Sequence, residues 1–425
     1  MLNIEERKSY PHALDHLGFR PFFLLAGLFA VLLMAVWFWL LHINKDFSFN
    51  APISLLDWHA HEMVYGYAMA AITGFLLTAV RNWTNIQTLH GPRLLILALF
   101  WILARLSPLI PHQAGLPVMA VADMIFGCWM LAALFRPLKQ AGQRQHFGIL
   151  AILALLVICN MLFYLTALHI QLPVEGARLI TLPAALAAEI GKALYLTSEM
   201  VPRLMNQTGL YLVLALVLIM ARRVVPFFIE KGVDAPVTLH NYRLLDISSL
   251  ILLFLFIPIN LMLRSHAGTI LTAAVLAVLH SIRLIGWYTP GIWQKPLLWV
   301  LYAAYGWIAA GFCLLAVGEL TGISSYLALH AFAVGGIGMM TLGMMARVAL
   351  GHTGRNVFDP PAQLRWIFLL TFVGSICRVI LPMVFGQWYM FWLILAQLCW
   401  IGAFAWFSFL YAPMLIQPRV DGRYG

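Results

Sequence analysis

Apolar residues run along this chain in long blocks broken by short polar segments. The pattern shows neither the alternation of a half-buried strand nor the narrow stripe of a soluble helix. A hydrocarbon core about 30 Å thick is crossed by roughly 20 residues of helix. By that measure twelve spans are predicted, over 21–41, 58–80, 93–110, 115–135, 147–170, 208–226, 243–263, 267–288, 297–317, 326–349, 366–385 and 388–411. The block 171–207 differs, because Glu175, Arg178, Glu189, Lys192, Glu199 and Arg203 punctuate its apolar residues. That mixture suits an interfacial amphipathic helix better than a span. The expected fold is all-α, a single polytopic bundle over residues 1–425 embedded in a lipid bilayer.

Composition agrees: 63% of residues are hydrophobic and only 10% charged, which no soluble domain of this length shows. The net charge of +10 is therefore not a nucleic-acid footprint, and no nucleic acid is expected as a partner. With the N-terminus cytoplasmic, the inner segments hold most of the basic residues, among them Arg7, Lys8, Arg20, Arg81, Arg93, Arg136, Lys139, Arg144, Arg222 and Arg223. The outer segments hold Lys45, Arg178, Lys192, Arg203 and Arg264. This positive-inside bias places both termini in the cytoplasm.

A charged start without a short apolar stretch and cleavage site argues against a cleaved signal peptide. Cys128, Cys159, Cys313, Cys377 and Cys399 all fall inside predicted spans and form no CxxC pair, so no disulfide framework or thiolate zinc site is indicated. There is no P-loop and no dinucleotide-binding glycine fingerprint, which argues against an ATP-driven machine.

Ionisable groups are costly in hydrocarbon, and an intramembrane cluster of them is by default a functional-site hypothesis. Nine of the 14 histidines lie in the tail or connecting segments, where a solvated or headgroup-level side chain is the expectation: His12, His16, His42, His90, His112, His146, His169, His240 and His266. The other five are His59, His61, His280, His330 and His352. At 1.5 Å per residue, His330 lies about 6 Å below the start of its span, near the depth of His59 and His61, whereas His280 lies about 20 Å down. His352 is about 33 Å along the helix from His330, so these two cannot share a metal. Depth thus suggests an outer cluster of His59, His61, Glu62 and His330. The inner one holds His280 and His352, with Arg283 and Arg347 nearby.

The segment WHAHEMVYGY (58–67) is the richest in such groups. Glu62, Gly66, Ala70 and Gly74 form a small-residue ridge that admits a close helix. His59 shares a face with Met63 and Tyr67, and His61 shares one with Tyr65 and Met69. Rings at i and i+2 point about 200° apart, so His59 and His61 serve one metal only where the helix start is distorted. Glu62 is a candidate proton carrier, and equally a structural hydrogen-bonding group. His280 and Arg283 fit a cofactor site or an interfacial lipid contact. Met339, Met340, Met344 and Met345 carry thioethers suited to Cu(I), although methionine as a gap-filler is the preferred reading. Gly335, Gly336 and Gly338 make room for a flat macrocycle or a close helix.

These stretches, with GFRPFFLLAG (18–27), ARRVVPFF (221–228), HSIRLIGWYTP (280–290) and HAFAVGGIGMMTLGMMARVALGHTGR (330–355), resemble the NnrS family of membrane proteins. The resemblance implies twelve spans and a bacterial inner-membrane location. It also implies bound haem (b-type) and copper, with a part in relieving nitric oxide stress. The region 171–207 departs from the family pattern. On residue chemistry, His59, His61 and His330 are the candidate metal ligands. His280 and His352 are candidate haem ligands, with Arg283 and Arg347 as propionate partners or ordinary positive-inside anchors. Glu62 and Tyr65 are the candidate catalytic groups; the His61–Tyr65 spacing resembles the active-site helix of haem–copper oxidases, on the strength of one pair. Redox or gas-binding chemistry on nitric oxide is the leading expectation, and a copper or haem transporter the alternative. No inverted repeat or pair of broken helices supports transport. Electron donor and oligomeric state are not encoded in any recognisable motif.

Overall fold

The computed structural model describes residues 13–44, 53–110, 114–168 and 200–425. Most of the suggested interfacial helix over 171–207 lies outside those residues, as do His12, His112 and His169; residues 201–207 open the sixth span. Among the described residues twelve helices are long and apolar enough to cross a membrane. They are α1 (Phe19–His42), α2 (Leu55–Thr84), α3 (Pro92–Leu109), α4 (Gly115–Gln140), α5 (Arg144–Ala167) and α6 (Val201–Gly232). The remainder are α7 (Arg243–Leu261), α8 (His266–Gly286), α9 (Pro296–Thr321), α10 (Ser325–His352), α11 (Leu364–Val384) and α12 (Gly386–Ile416). The face where α1 ends and α2 begins is called the first face below, and the opposite one the second.

Local chemistry sets several of the boundaries. Ser54 caps α2 by accepting from the Asp57 amide, and Ser265 does the same for α8 through Gly268. Proline occupies the first turn of α3, α6 and α9, where its missing N–H costs nothing. Gly322, with φ of 76°, ends α9 in the left-handed conformation. On α1, Leu28, Leu32, Val36 and Trp39 are exposed while Ala26, Ala30, Leu33 and Trp37 are buried, a lipid-facing stripe opposite a packing stripe.

Every fourth helix is central. The most apolar stretches of α2, α6 and α10 are 89%, 67% and 61% buried, against 28–50% for all the rest but α9. These three pack on one another. The Tyr65 hydroxyl donates to the Met205 carbonyl of α6 at 2.8 Å, and the Tyr67 hydroxyl meets Thr341 Oγ1 of α10 at 2.6 Å. Asn206 of α6 donates to the Asp57 carbonyl at 2.9 Å. Two of the three helices also widen to π-helix, over Glu62–Ala68 and Ala331–Gly338. Each π turn begins directly after a histidine, His61 or His330, and π turns are frequent at functional sites.

Of the two uses open to the glycines of α10, a close helix is the one found. An added Cβ would lie 2.4 Å from Trp307 at Gly335, 2.8 Å from Ile308 at Gly336 and 2.6 Å from Trp400 at Gly338. Gly335→Ala is therefore expected to cost about 1–3 kcal/mol of stability through overpacking. Gly402→Ala, whose methyl would meet only Leu370 at 3.8 Å, is the control expected to change little. Thermal unfolding of the two variants in the same detergent checks the difference.

Candidate functional site

Among the described residues, three groups of polar side chains occupy the interior of the helix bundle. The largest joins α2, α3, α4 and α5 near the first face. Arg105 Nη1 donates to Glu62 Oε2 at 2.8 Å, and its Nη2 donates to Asp123 Oδ1. The second oxygen of Asp123 accepts from Tyr164 at 2.6 Å and from Asn160 at 3.3 Å. His61 closes the ring, with Nε2 donating to Asn160 Oδ1 at 2.8 Å and Nδ1 lying 3.1 Å from Glu62 Oε1. The side chains of His61, Glu62, Arg105 and Asp123 are at most 3% exposed. Phe163 stacks on the imidazole at 4.4 Å, so the walls are apolar and the interactions are poorly screened.

Charge counting gives this group its chemistry. One guanidinium and two carboxylates leave a net negative charge, which a single proton shared by His61 Nδ1 and Glu62 Oε1 removes. A network of this composition can hold one proton and exchange it without creating a bare buried charge. Both ring nitrogens of His61 thereby have protein partners, Asn160 Oδ1 and Glu62 Oε1. The structure thus places His61 in a network with Glu62, Arg105 and Asp123, apart from His59 and His330. Tyr65 packs 5.0 Å from the His61 ring, but its hydroxyl is spent on the Met205 carbonyl. Gly209 leaves the space that hydroxyl fills, an added Cβ there falling 2.5 Å from it.

The second group lies at similar depth on the opposite side of α2. His59 stacks on Trp37 with ring centroids 4.4 Å apart, and its Nδ1 is buried without a hydrogen-bond partner. His330 donates from Nδ1 to the Tyr326 carbonyl at 2.7 Å, which leaves Nε2 to accept from Arg378 Nη2 at 3.2 Å. His59, His330 and Arg378 interact electrostatically with one another. The i and i+2 spacing thus sends His59 toward α10 and His61 toward α5, and the outer cluster divides in two. A cavity of about 830 Å³, lined by Asp57, Arg203, Arg264, His266, Glu319 and Leu329 among others, opens at the first-face ends of α2 and α10.

Nearer the second face, His280 is fully buried. Its Nδ1 contacts the Tyr305 hydroxyl at 2.7 Å, its ring stacks on Phe312, and its Nε2 has no partner. Arg283 donates to the same hydroxyl at 2.7 Å, to Asp246 Oδ1 at 2.9 Å and to Ser249 at 3.1 Å. The inner cluster also separates. His352 packs its ring 5.5 Å from Phe19, and Arg347 lies over the Phe228 ring at 3.9 Å. Neither shares a partner with His280. Among the connecting-segment histidines, His16 and His146 are buried instead of solvated, His146 stacking on Trp83 at 4.2 Å.

Arg105, Asp123, Asn160, Tyr164, Asp246 and Arg378 were not singled out by the sequence reading. Four of them are charged residues inside or beside apolar spans, which is itself the signal. Among the described residues no three side chains of His, Cys, Asp or Glu form a ready-made metal site. The family model described as the NnrS protein matches residues 13–419 of the chain. No curated protein matches it.

Proposed function

Because the chain belongs to the NnrS family, whose members are membrane proteins associated with nitric oxide, we propose that it protects a bacterial cell from nitric oxide by redox or gas-binding chemistry at its intramembrane histidines. It would lie in the inner membrane with its first face outward, as the charge bias of its loops favours, and would carry haem and copper. The observation that carries this reading is a pair of buried imidazole nitrogens, His59 Nδ1 and His280 Nε2, with no hydrogen-bond partner among the described residues. An unsatisfied buried polar atom costs about 1–3 kcal/mol, a cost that a bound group would remove.

The residues fit such groups unequally. His280 would hold haem iron through Nε2 in the tautomer whose Nδ1–H donates to the Tyr305 hydroxyl, the arrangement ligating histidines usually show. Arg283, already paired with Asp246, is not free for a propionate. His330 donates its Nδ1–H to a backbone carbonyl and presents the Nε2 lone pair, also the ligand tautomer. With His59 it offers copper two imidazoles once Arg378 moves aside. When bound, haem and copper supply gas binding and one-electron chemistry. The chain itself orients the imidazoles, excludes water with Trp37, Phe312 and Phe163, and holds a proton at His61 and Glu62 for any step that consumes one.

Single His280→Ala, His59→Ala and His330→Ala variants test this. His280→Ala should lose most of the haem absorption while retaining copper, and the other two should lose copper while retaining haem. Nitric oxide consumption by the reduced wild-type protein should exceed that of each variant. Unchanged haem and copper contents in all three would sink the reading.

A further inference from the structure

Arg378 is an arginine inside a span without an acid. It lies six residues, about 9 Å, from the first-face end of α11. Its partners are the Tyr389 hydroxyl and His330 Nε2, both of which accept from it. No carboxylate forms an ion pair with it among the described residues, although Arg105 pairs with Glu62 and Asp123 and Arg283 with Asp246. Arg347, inside α10, has an aromatic face instead. Around Arg378 the two nearest titratable groups of α2 and α10 are His59 and His330, and neither supplies a negative charge. An uncompensated guanidinium in the membrane interior is costly. The geometry of its surroundings leaves that charge unanswered by the protein.

We infer that Arg378, with His59 and His330 beside it, is an anion-binding site for a planar two-oxygen monoanion: a carboxylate, or nitrite. The guanidinium fork matches two coplanar oxygens and binds them bidentately. A phosphate or sulfate would add charge that one arginine does not balance. His59, which interacts electrostatically with Arg378, adds an imidazole beside the guanidinium. Engaging the anion draws Arg378 off His330 Nε2. The inference stands on these three side chains and does not depend on haem or copper being present. The anion is either a free small ion or the carboxylate arm of a larger bound molecule.

The test uses the full chain in phosphatidylcholine nanodiscs, titrated calorimetrically with nitrite and with formate, and native mass spectrometry of the same samples. Wild type should bind both anions at one saturable site. Arg378→Met should weaken that binding about 10- to 100-fold, and Arg378→Lys, which keeps the charge and loses the fork, should fall between them. Arg347→Met should bind as wild type, and matched melting curves show that each variant is folded. If a carboxylate-bearing molecule already fills the site, wild type retains it through purification and Arg378→Met releases it, which also supports the inference. Binding unchanged in Arg378→Met overturns it. So does a wild type that neither binds these anions nor carries such a molecule, or an Arg378→Met variant that releases only a phospholipid.

Discussion

Arg105→Met should destabilise the protein by about 3–5 kcal/mol, the expected cost of leaving buried charges without their partner. The guanidinium stands between Glu62 and Asp123, and all three side chains are at most 3% exposed. Removing it leaves two carboxylates facing each other in an apolar setting. One of them must then take up a proton, and the Trp101 ring loses the cation lying 5.9 Å from its centroid. The triple variant Arg105→Met, Glu62→Gln, Asp123→Asn should recover most of the loss, since neutral amides of the same shape preserve packing and bury no charge. Thermal or denaturant unfolding in one detergent compares the three proteins. A single variant as stable as wild type would show that the network is solvated. A triple variant no better than the single would show that the loss comes from packing.

The twelve spans were legible because membrane insertion imposes a coarse rule: about 20 apolar residues in a row. The same rule hid the chemistry. A span is recognised by averaging, and one arginine among twenty apolar residues barely moves the average. Of the 26 lysines and arginines, Arg105 and Arg378 belong to neither set of loops, and each sits at the centre of a polar group. Asp123 was overlooked for the same reason. Weighing each intramembrane charge as a question about its partner would have linked Arg105, Asp123 and Glu62, which fall at matching depths. Asn160 and Tyr164 carry no such mark. A neutral amide and a phenol inside α5 reveal their role only once α2 and α4 lie against them.

Helical phase fared better than cluster membership. The small-residue ridge of α2 does admit close neighbours: an added Cβ at Gly66 would lie 2.8 Å from both Arg105 and Phe29, and one at Gly74 would lie 2.9 Å from Phe23. His59 and Tyr67 turn to α10, and His61 and Tyr65 turn to α5 and α6. Depth alone had grouped His59, His61, Glu62 and His330. Depth is a one-dimensional coordinate, and it cannot tell which side of a central helix a ring occupies. The π turns carry no mark in the hydrophobic pattern, which continues through both of them.

Arg20 in the GFRPFF stretch should prove nearly as important as Arg105, for a purely structural reason. It is fully buried in the first turn of α1. Its Nη1 donates to the carbonyls of Leu415 and Gln417, each at 2.8 Å, and its Nη2 to the main-chain oxygen of Gly425 at 2.6 Å. A cation thus sits at the C-terminal end of α12, where the helix dipole favours it, and the last carbonyls find donors they lack within the helix. Arg20→Met leaves two buried acceptors, at Leu415 and Gly425, unsatisfied, at a cost of about 2–4 kcal/mol; Gln417 is partly exposed and can turn to water. The loss should be local. Hydrogen exchange should accelerate at the Gln417 and Val420 amides, which bond to Pro413 and Thr353. Arg419 should keep its pairing with Asp421, which holds that carboxyl well below the usual range. Amides deep in α2 and α6 should exchange as before. Arg20→Lys, with a single ammonium in place of the fork, should protect Leu415 or Gly425 but not both. Exchange at Gln417 and Val420 that is unchanged in Arg20→Met would mean that α1 and α12 are held together by apolar packing alone.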